Sequence, residues 1–315
     1  MGSWKERIGE EKPQEIVKAV MQQSHEDLSK QPDLQSARLQ ILNQQGLNGR
    51  KKFDDSLERL FYAKTDSERN TKTGNFERFL TSSGISSAEA RRLADLVCSA
   101  GSSTQHLLAQ GQTEKALELN RSIGSGKIKS SNDVLSFMSQ LGYSSFVKSE
   151  LARLASYKST ELKQQMALFE ISESRTDAAQ YAREFALALR ELTRYSPESY
   201  KDEFERYAGM FGEISSVAKE VKIDSSIGNE LKKTAIEISK NLDGLLSKVV
   251  AESNLAIEST VRDGKKEELK FKTLDTERGT VEFEPHSMEA NTFCETETIY
   301  NLADDIKPEG SIYES

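Results

Sequence analysis

The sequence predicts a mainly α-helical protein: a multi-helix bundle with a small β-hairpin near the C-terminus and a disordered acidic tail. Three observations carry that prediction. Only five of the 315 residues are proline, and the segments between polar breaks are filled by Leu, Ala, Glu and Lys, which lose little rotamer freedom in a helix. Apolar residues recur at helical spacing up to Arg262 and then switch to alternation. The charge is uneven: from Thr276 onward there are ten acidic and two basic residues, leaving 41 of each before it. The whole net charge of −8 therefore sits at the end of the chain, in a stretch too polar to offset its ordering entropy by burial.

The first element is "PQEIVKAVMQQSHEDLSK" (13–30). Pro13 suits a first helical turn, where its missing N–H is no loss, and Ile16, Val17, Val20 and Met21 share a face. A second helix, "DLQSARLQILNQQ", follows Pro32 and stops at Gly46, and a third runs from Phe53 to Ala63. The polar run "KTDSERNTKTGN" (64–75) has no apolar stripe and is expected to be a linker closing an N-terminal helical region, residues 1–75. Residues 76–265 are expected to form the bundle core. Two stretches in it, "FLTSSGISSAEARRLADL" from Phe79 and "FMSQLGYSSFVKSELARL" from Phe137, lie 58 residues apart and share a pattern. In each, a glycine ends one helix, an apolar residue follows, and serines begin the next. Duplication and common helix punctuation both give that pattern. As a DNA-reading helix-turn-helix the first unit offers only Arg91 and Arg92.

Four long helices are expected next, over Ser145–Ile171, Arg175–Tyr195, Glu198–Val221 and Ser226–Arg262, with short breaks of the kind that join antiparallel neighbours. Along the last, Leu231, Ala235, Ile238, Leu242, Leu245, Val249 and Ala256 form a heptad-like seam, suited to bundle packing or to self-association. Ile236, Leu246, Val250 and Ile257 widen it, which favours packing within the chain. Then "ELKFKTLDTERGTVEFEP" alternates about Gly279. Setting Phe271 opposite Phe283 also brings Lys272 to Glu282 and Lys270 to Glu284, so residues 266–285 are expected to be a hairpin docked on the bundle. Residues 286–315 are the acidic tail.

Little in this chain carries chemistry. "RSIGSGKIKSS" (121–131) looks like a phosphate-binding loop, but the first glycine of that pattern is replaced by Arg121 and the magnesium-binding hydroxyl by Ile128. Gly124 and Gly126 are better placed to stop a helix, with Ser130 or Ser131 capping the next. His25, His106 and His286 have no metal-like spacing. Cys98 precedes His106 by eight residues but continues the apolar face of Leu93 and Val97, as a structural cysteine does. No catalytic residue, metal or cofactor is expected. Arg50, Lys51, Lys52 and Arg59 form a candidate basic patch, with Phe53, Phe61, Tyr62 and Phe76 as rings that could stack on bases, although Asp54, Asp55 and Glu58 oppose the charge. In the tail, Tyr300 and Tyr313 share a Thr/Ser-Ile-Tyr pattern and are candidate phosphorylation or linear-motif sites.

These features point to a non-enzymatic helical scaffold or adaptor that binds protein partners and carries a modifiable acidic tail, with self-association through Leu231, Ile238, Leu242, Leu245 and Val249 as a second use of the seam. The alternative is a helical nucleic-acid-associated protein, of viral nucleocapsid or polymerase-cofactor type, binding RNA through Gly49–Phe79. No apolar run is long enough to span a bilayer, and two cysteines, Cys98 and Cys294, fit a reducing compartment. A cytoplasmic location is therefore expected.

Overall fold

A computed structural model describes residues 13–168, 172–196, 198–220 and 226–274, which form ten α-helices and no strand. In chain order they are α1 (Pro13–Leu28), α2 (Pro32–Phe61), α3 (Asp66–Ser82), α4 (Ser87–Ala109), α5 (Thr113–Gly124), α6 (Ser131–Gln140), α7 (Ser144–Ala167), α8 (Ser172–Thr193), α9 (Glu198–Glu220) and α10 (Ser226–Leu274). Residues Met1–Gly264 form one unit and Lys265–Ser315 another, and the packed core belongs to the first.

Four of the turns are built alike. Gly84, Gly111, Gly126 and Gly142 adopt φ between 71° and 87°, a region nearly closed to residues with a Cβ. In each, the next residue donates its N–H to a carbonyl five positions back: Ile85 to Leu80, Gln112 to Leu107, Lys127 to Ser122 and Tyr143 to Met138. This is the Schellman stop. Because it closes α3, α4, α5 and α6 alike, helix punctuation is enough to give the likeness between the stretches from Phe79 and Phe137.

α2 bends at Gly46 (φ 68°), where the sequence predicts a stop, so two helical arms join end to end. The expected linker at 64–75 is instead most of α3. The Thr65 hydroxyl accepts the Glu68 N–H at 3.2 Å, and the Glu68 carboxylate accepts the Lys64 N–H at 2.8 Å and pairs with Lys72. These contacts satisfy the helix start. Hydropathy misses α3 because its buried face is partly small and polar: Thr73, Gly74 and Glu77 beside Phe76 and Leu80. α3 packs on α2 and α4, so contact continues across the boundary expected at residue 75.

α4 is the axle of the N-terminal half and touches α1, α2, α3, α5 and α6. Its residues from Leu96 to Thr104 are all buried. A helix can be enclosed this way when its side chains are small or apolar all round. Ser102 and Thr104 return their hydroxyls to the Ser99 and Ala100 carbonyls. Gly101 permits a close crossing: a Cβ there would lie 2.2 Å from the Phe61 carbonyl oxygen.

α7 to α10 make an antiparallel four-helix arrangement. α9 runs back along α8, with Ser215 bonded to the Ala179 carbonyl and Phe185 against Phe211. α10 returns along α7, where Ser149 meets Asn254, Ser159 and Lys163 meet Asp243, and Lys232 reaches the Ala167 carbonyl. The bundle is the one the four expected helices call for. On α10, Ala235, Ile238, Leu242, Leu246 and Val249 are buried, while Leu231 and Leu245 are half-buried against the core. The helix runs on to Leu274, into the residues expected as the hairpin's first arm; the turn and second arm, with the acidic tail, lie outside the described residues.

Candidate functional site

The two halves of the chain meet through long polar side chains. Glu77 of α3, 7 % exposed, accepts hydrogen bonds from Tyr181 Oη at 2.6 Å and Tyr157 Oη at 3.1 Å. Arg91 of α4, 2 % exposed, lies 3.1 Å from Glu184 and 3.5 Å from both Glu77 and Asp177, with its guanidinium 4.6 Å above the Tyr181 ring. Lys158 of α7, 4 % exposed, bridges Asp95 at 2.8 Å and Glu184 at 3.0 Å. Charges this deep persist only when paired. Burial raises the Glu77 pKa above the usual carboxylate range despite the Tyr181 bond and the nearby Lys158 and Arg91. For Arg91, burial opposes the charge, but Glu184, Tyr181 and Glu77 outweigh it and raise the pKa.

A second cluster lies beside it. Arg153 is 3.1 Å from Glu150 and donates to Asn70 at 2.8 Å; Arg69 reaches Glu150 at 3.7 Å and Gln105 at 3.0 Å. Burial works against the Glu150 charge, yet Arg153 and Arg69 hold its pKa below the usual value. Together the clusters form a buried belt that ties α3 and α4 to α7 and α8. A carboxyl with a raised pKa between two phenols resembles an acid–base site. Glu77, however, does not line the neighbouring cleft, and its bonds go to other members of the belt. The arrangement serves to hold the helices in register.

Next to the belt the surface opens into a cleft of about 200 Å³, between α4, α6, α7 and α8, with Arg91, Asp95, Lys158 and Glu184 in its wall. A second cleft of about 150 Å³ continues it and shares Asn132, Leu151 and Glu191. The two make one groove between α6 and α8, floored by α7. Val147, Leu151 and Leu154 of α7 supply an apolar floor, with Leu135 of α6 beside them. Leu187 stands at the mouth, 48 % exposed.

The sequence-predicted sites fall elsewhere. Arg50, Lys51, Lys52 and Arg59 lie on the second arm of α2; Lys51, Lys52 and Arg59 are exposed, while Arg50 is half-buried and 3.8 Å from Asp54, which also binds Arg38. At about 100° per residue these four do not share a face, and Asp55 and Glu58 stand between them. Phe53, Phe61 and Phe76 are fully buried, so no ring of the three is free to stack on a base. Arg91 is inside the belt, and Arg92 pairs with Asp33 and Glu89; neither is presented to DNA. At 121–131, Gly126, Lys127 and Ile128 direct their N–H groups to the carbonyls of Ile123 and Ser122, the donors a phosphate would need. Ser130 caps α6 in a capping box with Asp133, as the sequence suggests. Cys98 is buried, which pushes its thiol pKa up, and lies by Thr73. His106 stacks on Phe146 at 4.4 Å, and burial lowers its pKa to about 4. Tyr300 and Tyr313 lie outside the described residues. Among the described residues no group of His, Cys, Asp and Glu could hold a metal ion, and no helix is long and apolar enough to cross a membrane. No protein-family model, curated protein or solved structure matches this chain.

Proposed function

We propose that the protein is a non-enzymatic helical scaffold or adaptor whose described part presents a docking groove to a protein partner. The groove between α6 and α8 carries this reading: an apolar floor, polar walls and an exposed leucine at the mouth suit the insertion of side chains from an elongated segment. The belt beneath gives the groove a fixed shape, because Glu184 in its wall is held by both Arg91 and Lys158. Burial of Phe53, Phe61 and Phe76 weighs against RNA binding through Gly49–Phe79. Modification of the tail at Tyr300 and Tyr313 and self-association through α10 remain separate proposals of the same reading.

The test is affinity purification of tagged full-length protein from its native cells, in parallel with Leu187→Asp. The exposed position should tolerate the change, so melting should stay the same while a defined set of co-purifying proteins disappears. Recovery of the same proteins with both forms, or of none above an untagged control, would overturn the assignment.

A further inference from the structure

Arginines mark the outward face of α8 and the turn that follows it. Arg183 and Arg190 lie seven residues apart on α8, which at 3.6 residues per turn places them within about 20° of one another over about 10 Å of helix, and Arg194 follows in the turn just after the helix ends at Thr193. All three are exposed. Among the described residues Arg183 and Arg190 form no ion pair, and Arg194 has a neighbour, Glu191 at 2.9 Å, in an exposed pairing. Leu187 lies on the same face, at the groove mouth. The helix thus sorts its charges: Asp177, Glu184 and Glu191, also seven apart, lie about 100° away on the groove side, and two of them are drawn to Arg91.

We infer that this arginine face and the groove beside it form one docking surface for an acidic amphipathic peptide segment of a partner protein. The inference rests on the adaptor reading above and names the partner's chemistry. Carboxylates spaced along the segment meet Arg183, Arg190 and Arg194, where the planar guanidinium favours bidentate contact. An apolar side chain from the segment's other face packs on Leu187 and enters the groove. Glu191 lies between the two zones and would repel a carboxylate, so the position that passes over it must be uncharged. Charge complementarity favours this occupant over a basic one. The leucine among the arginines favours a peptide over a nucleic acid, whose phosphates have no use for it.

The test is selection of phage-displayed random 16-residue peptides on immobilised full-length protein, with polyuridylic acid as a second probe. Enriched peptides should carry acidic residues on one side and apolar residues on the other. The combined substitution Arg183→Glu, Arg190→Glu and Arg194→Glu should weaken them about 30-fold or more, and the three glutamine substitutions by less, with affinity falling as salt rises. Matched thermal melts show that the exposed substitutions leave the fold intact. Enrichment of peptides bound equally by the charge-reversed variant overturns this inference and leaves the adaptor reading standing. Enrichment of none, or binding of polyuridylic acid that the reversal abolishes while peptides bind no better than background, overturns it as well; the co-purification test judges the adaptor reading separately.

Discussion

Replacing Arg91 with methionine is the most direct probe of the belt. Methionine fills most of the volume, so the loss is chiefly of charge. Removing one partner from a buried ion pair costs about 3–5 kcal/mol, because a charge is left without compensation. Here the lower end applies. Glu184 keeps Lys158 at 3.0 Å, Glu77 keeps two phenol hydrogen bonds, and Asp177 is partly exposed to water. A loss of about 3 kcal/mol corresponds to roughly 5 °C in melting temperature for a chain of 315 residues.

The loss should also depend on pH, with a definite sign. Glu77 already has a raised pKa, and Arg91 is one of the groups that restrain it. In Arg91→Met that restraint is gone and the folded-state pKa climbs further. A carboxyl whose folded pKa exceeds its unfolded one costs nothing below the unfolded value, and its cost grows until pH passes the folded value. The gap between wild type and variant should therefore shrink on acidification, by up to about 1.4 kcal/mol for each pH unit over which Glu77 takes its proton. Both chains contain His106, so its titration cancels in the difference. Urea unfolding followed by circular dichroism, at about pH 5 and about pH 7.5, measures both quantities. A loss below about 1 kcal/mol, or a gap that widens on acidification, would refute the account of the belt as a buried, charge-paired joint.

Other perturbations test other parts of the fold. Gly101→Ala should cost about 1–3 kcal/mol by forcing α4 off the Phe61 carbonyl, whereas Gly244→Ala, exposed on α10 with open space around it, should gain about 0.5–1 kcal/mol in the same urea assay. His106 has a folded pKa of about 4 against an ordinary 6.5, so the unfolded chain binds the proton first and stability should fall as pH drops from about 6.5 to about 4; His106→Phe should reduce that limb in a plot of unfolding midpoint against pH, leaving the part due to His25, whose pKa burial also lowers. Leu242→Asp, at a fully buried position, should lower the unfolding free energy by several kcal/mol, about 4 or more, with light scattering reporting whether any oligomer also dissociates.

The bundle was legible because its signals are local. Helix stops at Gly84 and Gly142, the break at Gly46, the cap at Ser130 and the apolar stripes of the last four helices all lie within a few residues of the structure they specify. The seam was read nearly in register: Ile238, Leu242 and Val249 are buried, but Leu246 lies deeper than Leu245, a drift expected when a straight helix of 3.6 residues per turn is counted in sevens. α3 was missed because its buried face carries Thr73, Gly74 and Glu77, which hydropathy scores as surface. The signal available was Thr65 followed by Glu68, a start pattern that precedes no apolar run. The belt left no local trace. Arg91 is 86 residues from Asp177, and Tyr181 is 104 from Glu77. Each looks in sequence like an ordinary exposed residue between apolar ones, and only the crossing of α3 and α4 with α7 and α8 makes them interior.

The belt also explains the division of charge on α8. A carboxylate at Asp177 or Glu184 faces fixed cations on neighbouring helices, Arg91 on α4 and Lys158 on α7, so the acidic side of α8 is spoken for by the fold itself. Among the described residues none makes the same demand of Arg183 and Arg190. Burying a charge in the belt requires a partner, and exposing one on the surface requires none, so stability alone would accept almost any polar residue at those two positions. The segregation is thus half constrained. Asp177 and Glu184 are dictated by the joint between the two halves of the chain, and Arg183 and Arg190, with Leu187 set between them, are the part of the helix whose composition packing does not explain.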